Sequence, residues 1–149
     1  MNSNDSLKLE NQLCFRLYSL TKLMNRHYSP ALKKLGLTYS QYIAMLVLWE
    51  NNNINSAISV KSLGSKLDLD SGTLSPLLKR LEKQGLVTRV RNSEDERSVE
   101  IKLTKLGCEL KTQAQNIPAE MFSVTGMSID ELKGLNKQLD NLLITMSTQ

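Results

Sequence analysis

"SVKSLGSKLDLDSGTLSPLLKRLEKQGLVTRVRNSEDERSVEIKLT", residues 59–104, changes its hydrophobic period within one short segment. Ser59 stands where a helix cap belongs, and the residues up to about Leu67 predict a short helix. A second helix is predicted from about Ser71 to Gln84, because Leu74, Leu77, Leu78 and Leu81 share one face and Gly85 can stop it. Its start has two readings. Either Ser75 is the cap and Pro76 the first helical residue, or Asp70 or Ser71 caps earlier and Pro76 forfeits one backbone bond. Beyond Gly85 the period falls to two: Val99, Ile101 and Leu103 alternate with Ser98, Glu100 and Lys102, a half-buried strand. Its partner is Leu86 to Arg91, joined through the polar loop Asn92 to Arg97. Helix, turn, helix and hairpin is the order of a winged helix-turn-helix, whose second helix enters the major groove of DNA.

Outward from this centre the pattern is helical. Leu9, Leu13, Leu17, Leu20 and Met24 form an amphipathic stripe over a helix read from Glu10 to Pro30, which Ser29-Pro30 interrupts. Thr38 and Gln41 have capping-box spacing before the apolar run Tyr42 to Trp49, and Asn51 to Ser56 reads as a loop with a short strand at Ile58. A long helix is expected from Thr104 to about Asn116, ended or bent by Pro118, and a last one from Ile129 to Met146. The fold class is therefore mainly α with a small β-hairpin wing. One domain is expected over residues 8–146, with a DNA-binding core at 59–104 and apolar helices at 8–29 and 104–146 that a second copy would cover.

Composition narrows the function classes. A chain of 149 residues can bury a core without disulfide or metal, and its two cysteines and single His27 lack zinc spacing; no metal or cofactor is expected. The start, MNSNDSLKLEN, has no signal-peptide pattern and no apolar run is long enough to span a bilayer, so a cytoplasmic protein with reduced thiols and no membrane partner is expected. A net charge of +4 suits a polyanion only weakly. The second helix is more specific. Ser71, Thr73 and Ser75, beside Pro76, are placed to reach base edges, and Lys79, Arg80 and Lys83 to reach phosphates or a guanine. In the hairpin, Asp95 lies two residues from Arg97 and can hold its guanidinium for a minor groove, flanked by Arg89 and Arg91, against the repulsion of Glu94 and Glu96.

The segment "LDSGTLSPLLKRLEKQGLVTRVRNSEDERSVEIKLT" closely resembles the winged-helix core of the MarR family of bacterial transcriptional regulators, whose wing carries a D-x-R motif, Asp95-Glu96-Arg97 in this chain. With "KLENQLCFRLYS" and "LGLTYSQYIAMLVLWE" it resembles one branch, the organic hydroperoxide resistance regulators of OhrR type. The resemblance implies a homodimeric repressor of a pseudo-palindromic operator. It also implies a reactive cysteine, Cys14, held by two tyrosines of the partner subunit, matching Tyr28 and Tyr39, with Tyr18 nearby.

Helix geometry agrees with a shared site. Tyr18 is one turn from Cys14, whereas Tyr28 lies 14 positions on, on the same face but about 21 Å along the axis. A straight helix cannot bring that tyrosine to its own cysteine, so if the two act together, as the resemblance implies, the tyrosine comes from an antiparallel copy. Phenolic donors favour the thiolate that attacks peroxide, and apolar Phe15, Leu17 and Met24 suit an organic hydroperoxide. Cys108 does not align with the resolving cysteine of two-cysteine relatives and is read as structural, leaving a mixed disulfide with a low-molecular-weight thiol. His27 and Trp49 are read as packing or surface residues. Two other readings compete: a related dimer answering to a small aromatic ligand, and a thiol peroxidase. For the latter the chain offers no C-x-x-C and no basic residue beside Cys14 except Arg16, which points away, so no enzyme is expected.

Overall fold

The computed structural model describes residues 3–50, 56–91 and 98–148. They form two compact units, residues 1–115 and 116–149. The first unit opens with a helical turn, α1 (Ser3–Ser6), and a 3-10 turn at Leu9–Asn11. Then come α2 (Leu13–Lys34), α3 (Tyr39–Glu50), β1 (Ala57–Ser59), α4 (Val60–Leu67), α5 (Ser71–Lys83), β2 (Val87–Arg91), β3 (Val99–Leu103) and α6 (Lys105–Ala114). The second unit holds α7 (Ile117–Thr125) and α8 (Ile129–Ser147).

Helix α2 departs from the sequence reading at both ends. It starts at Leu13, because Gln12 is extended (φ −88°, ψ 115°), and it continues through Pro30 to Lys34. Proline removes one N–H and crowds the carbonyl four residues back, but it does not forbid helix where packing offsets the loss. Tyr28 stacks near two aromatic rings and Leu32 is 2 % exposed, so both sides of Pro30 are anchored. The actual stop is Gly36 at φ +67°, where Leu37 N–H bonds to Leu32 carbonyl and Gly36 N–H to Lys33 carbonyl. This is a Schellman ending, and its positive φ favours glycine.

Helix α5 resolves the open question at Ser75-Pro76. Asp70 is the cap, its carboxylate accepting the Thr73 N–H at 2.7 Å, so Pro76 lies inside the helix and one backbone bond is absent. The helix closes like α2, with Gly85 at φ +73° and Leu86 N–H on Leu81 carbonyl. Its buried face is Leu74, Leu77, Leu78 and Leu81, packed with Tyr42, Met45 and Leu63 in the main core.

The strands form one antiparallel sheet in the order β1-β3-β2. The two expected hairpin strands pair, with Val87 facing Leu103 and Arg91 facing Val99, while Ile58 opposite Ile101 adds the third strand. The long helix expected after Thr104 is shorter. Thr104 caps α6 and the helix ends at Ala114; Pro118 sits in the first turn of α7, where its missing N–H has no helical acceptor to lose. In the second unit Ser128 and Glu131 form a reciprocal capping box that starts α8. No helix among the described residues is long and apolar enough to cross a membrane.

Candidate DNA interface and thiol site

The apolar stripe of α5 fixes what its other face presents. With four leucines turned inward, Ser71, Thr73, Ser75, Pro76, Lys79, Arg80 and Lys83 are exposed. Two clefts border this face. One of about 480 Å³ gathers Lys61 at the start of α4, Ser71, Ser75, Arg89 and Ser98; another of about 330 Å³ sets Thr38 and Ser40 of the α3 entry beside Thr73, Pro76 and Arg80. Lys61 and Ser40 carry no pattern of their own, and Thr38 and Ser98 read only as a helix cap and a strand residue, so their place beside this face becomes visible only when the elements pack. Thr73 has a divided role: its hydroxyl lies 3.3 Å from the Asp70 carboxylate, and its hydrogen bonds hold Asp70 below the usual carboxylate range.

The wing basics behave differently from one another. Arg91 ends β2 in solvent. Arg89 instead donates from Nε and Nη2 to one oxygen of Glu82, at 2.9 and 2.6 Å, tying β2 to α5. That bond keeps the Glu82 carboxyl below its ordinary range. Asp95 and Arg97, with Glu94 and Glu96, lie outside the described residues.

Cys14 and Tyr18 lie in the first half of α2, whereas Tyr28 lies in the second half and Tyr39 at the start of α3. Cys14 is exposed in the first turn; Tyr18 is 62 % exposed, with the Lys22 ammonium 5.2 Å from its ring centre. Tyr28 and Tyr39 converge at the elbow between α2 and α3, their ring centres 5.1 Å apart. Tyr42, buried and not singled out by the sequence, stands 5.8 Å from Tyr28 and edge-on to Trp49. Burial first, and the neighbouring phenols second, raise Tyr28 and push Tyr42 up to about 12. These groups are therefore neutral hydroxyls at physiological pH. Helix α2 is unbroken between Cys14 and Tyr28, so the two are about 21 Å apart along it.

Trp49 is a core residue, its indole N–H donating to Gly107 carbonyl at 2.8 Å, while His27 is exposed. Cys108 is half-buried on α6 beside that junction.

A three-helix core with an exposed polar recognition face, bordered by a three-stranded sheet, defines a winged helix-turn-helix DNA-binding regulator. Residues 26–114 match the family described as the transcriptional regulator SarA/Rot. The chain is 49% identical over 145 residues to the organic hydroperoxide resistance transcriptional regulator of Bacillus subtilis (strain 168), covering 97% of this chain and 96% of that one. It is also similar to AbfR of Staphylococcus epidermidis, at 36% identity and a TM-score of 0.78 over 100% of both chains. The reduced, DNA-bound structure of AbfR matches at 38% identity and a TM-score of 0.73, covering 96% of this chain and 97% of that one. Its disulfide form matches at 36% and 0.64, covering 98% and 97%. The chain belongs to the MarR/SarA-type winged-helix transcriptional regulators, not to an enzyme family.

Proposed function

We propose that the protein is a cytoplasmic, homodimeric repressor that holds a pseudo-palindromic operator while Cys14 is reduced and releases it when an organic hydroperoxide oxidises that thiol. One observation carries the reading. The paired hydroxyl-bearing rings of Tyr28 and Tyr39 sit at one end of an unbroken helix and Cys14 at the other, about 21 Å away, so thiol and phenols meet only between two antiparallel copies. The names of the Bacillus subtilis relative and of the redox forms of AbfR support the same chemistry.

Neutral phenols donate hydrogen bonds to sulfur and favour its anionic form, the nucleophile. The thiolate attacks one peroxide oxygen: an S–O bond forms, the O–O bond breaks, and the departing alkoxide takes a proton to become an alcohol. Condensation of the sulfenic acid with a low-molecular-weight thiol then expels water and leaves a mixed disulfide. Either product is larger than the thiolate and bonds differently, so the tyrosine elbow cannot keep its reduced position. On DNA, Ser71, Thr73, Ser75 and Pro76 take the groove edge and Lys79, Arg80 and Arg91 the backbone, while Asp95 is assigned to hold the Arg97 guanidinium for the minor groove. Arg89 acts through Glu82. A gel-shift titration on a palindromic duplex, reduced and then treated with cumene hydroperoxide, tests this. Wild type is expected to release the duplex and Cys14→Ser to retain it; release by Cys14→Ser overturns the assignment.

A further inference from the structure

The elbow that carries Tyr28 and Tyr39 is wired to the recognition helix by two side-chain amides. Gln84, the residue that ends α5, donates from Nε2 to the carbonyl of Gly36 at 2.7 Å. Its Oε1 accepts from Gln41 Nε2 at 3.3 Å. Gln41 Oε1 in turn accepts the Thr38 N–H at 2.8 Å, while its own N–H bonds to the Thr38 hydroxyl, so the same amide closes the capping box that starts α3. The chain of bonds therefore runs from the turn after α2, through the first turn of α3, to the C-terminal end of α5. Tyr39 lies inside it, between Thr38 and Gln41.

Two properties make this more than a surface contact. Gln41 is 5 % exposed and is the buried polar side chain among the described residues, so its amide cannot exchange a lost partner for bulk water without cost. The bonds are also directional. The leucines that pack α5 on α3 tolerate a small slide because apolar contact has no preferred angle, whereas amide bonds fail over a few tenths of an ångström and a few tens of degrees. A displaced elbow therefore has two outcomes: α5 follows, or the amides part.

We propose that Gln84, seated against Gln41, is the positioning residue through which the tyrosine elbow sets the pose of the recognition helix. The proposal rests on the thiol-switch reading and names how that switch reaches DNA. Two residues earlier on α5, the Glu82–Arg89 pair extends the connection from α5 to the wing strand.

The test compares wild type with Gln84→Met, which keeps length and removes both bonds, and Gln84→Glu, which keeps an acceptor for Gln41 but faces the Gly36 carbonyl with a carboxylate. Gln84 is exposed, so both variants are expected to fold, and a thermal melt of each records it. Three quantities are measured: the rate of sulfenic acid formation at Cys14 under cumene hydroperoxide, and the Kd for one palindromic duplex before and after full oxidation. The expected result is a wild-type oxidation rate with an oxidised-to-reduced Kd ratio lowered about fivefold or more, the size of one lost hydrogen bond. An equal weakening in both redox states, with the ratio unchanged, would mean a merely structural amide and overturn the proposal. A changed oxidation rate at constant ratio would overturn it too, placing Gln84 in the sensor. Wild-type protein that keeps its duplex after full oxidation would remove the thiol switch and this coupling together, a result visible before any variant is compared.

Discussion

The ring of Tyr28 packs against two neighbours and, on the function proposed above, its hydroxyl donates to the thiol of a partner copy; a single substitution separates the two roles. Tyr28→Phe keeps the ring against Tyr39 and Tyr42 and removes the hydroxyl. Stability is expected to change by less than about 0.5 kcal/mol at this half-buried position, while oxidation of Cys14 slows on the order of tenfold if one donor is worth about one pKa unit to the thiolate. Sulfenic acid trapping against time measures the second effect and denaturant unfolding the first. Arg89 gives an equally sharp contrast. A residue that neutralises a phosphate contributes about one to the slope of log K against log salt, so Lys79→Ala and Arg80→Ala are expected to flatten that slope. Arg89→Ala is expected to weaken binding without flattening it, because its guanidinium is engaged by Glu82. The Glu82 carboxyl is lowered below its ordinary 4.5, chiefly by that hydrogen bond. A carboxyl depressed in the folded state stabilises above its unfolded pKa, and the contribution is lost as pH falls through the folded value. Glu82→Gln should thus narrow the gap to wild type in melting temperature only below about pH 4.5, as melts across acid buffers would record.

Elements were legible in the sequence where one local signal decided them. The recognition helix and α8 follow from leucine spacing and the hairpin strands from a period of two, and each stands where those patterns put it, whereas the Ser128–Glu131 capping box that starts α8 lies outside the patterns read from the sequence. Boundaries governed by packing were not legible: Pro30 reads as a stop until Tyr28 and Leu32 anchor both sides of it, and Pro118 reads as an end where it begins α7. The candidate thiol site, Cys14 with Tyr18, Tyr28 and Tyr39, was named from spacing and family likeness. The amides of Gln41 and Gln84 were not, because 43 residues separate them and glutamines on helices have no period. Gly107 is another such position. A Cβ there would lie 2.1 Å from the Leu86 carbonyl oxygen, backbone that cannot move without shifting the start of β2. Gly107→Ala is expected to destabilise the fold by roughly 2 kcal/mol or more, read from urea unfolding, and to displace the acceptor of the Trp49 indole. Trp49 fluorescence reports that displacement directly.

At the scale of the molecule, apolar surface is the informative quantity. Leu9, Leu13, Phe15, Leu20, Leu23 and Met24 are exposed in the first unit, and Ile129, Leu143, Ile144 and Met146 in the second. Large apolar side chains left exposed in this number on each unit mark surface that a partner covers, in keeping with a two-fold dimer reading two half-sites about one helical turn, roughly 34 Å, apart. Leu143→Glu, at a side chain that is 64 % exposed, is expected to leave the single-chain fold intact while shifting sedimentation toward monomer and weakening operator binding. The most direct test of the central claim mixes two inactive parts. A subunit carrying Cys14→Ser and one carrying Tyr28→Phe with Tyr39→Phe are refolded together, and the duplex held by the heterodimer is followed as cumene hydroperoxide is added. One of its two sites then pairs an intact thiol with intact tyrosines across the interface, so the mixture is expected to regain rapid peroxide-driven release that neither homodimer shows. Failure to regain it, with heterodimers present and bound to DNA, would contradict a sensor built from two copies.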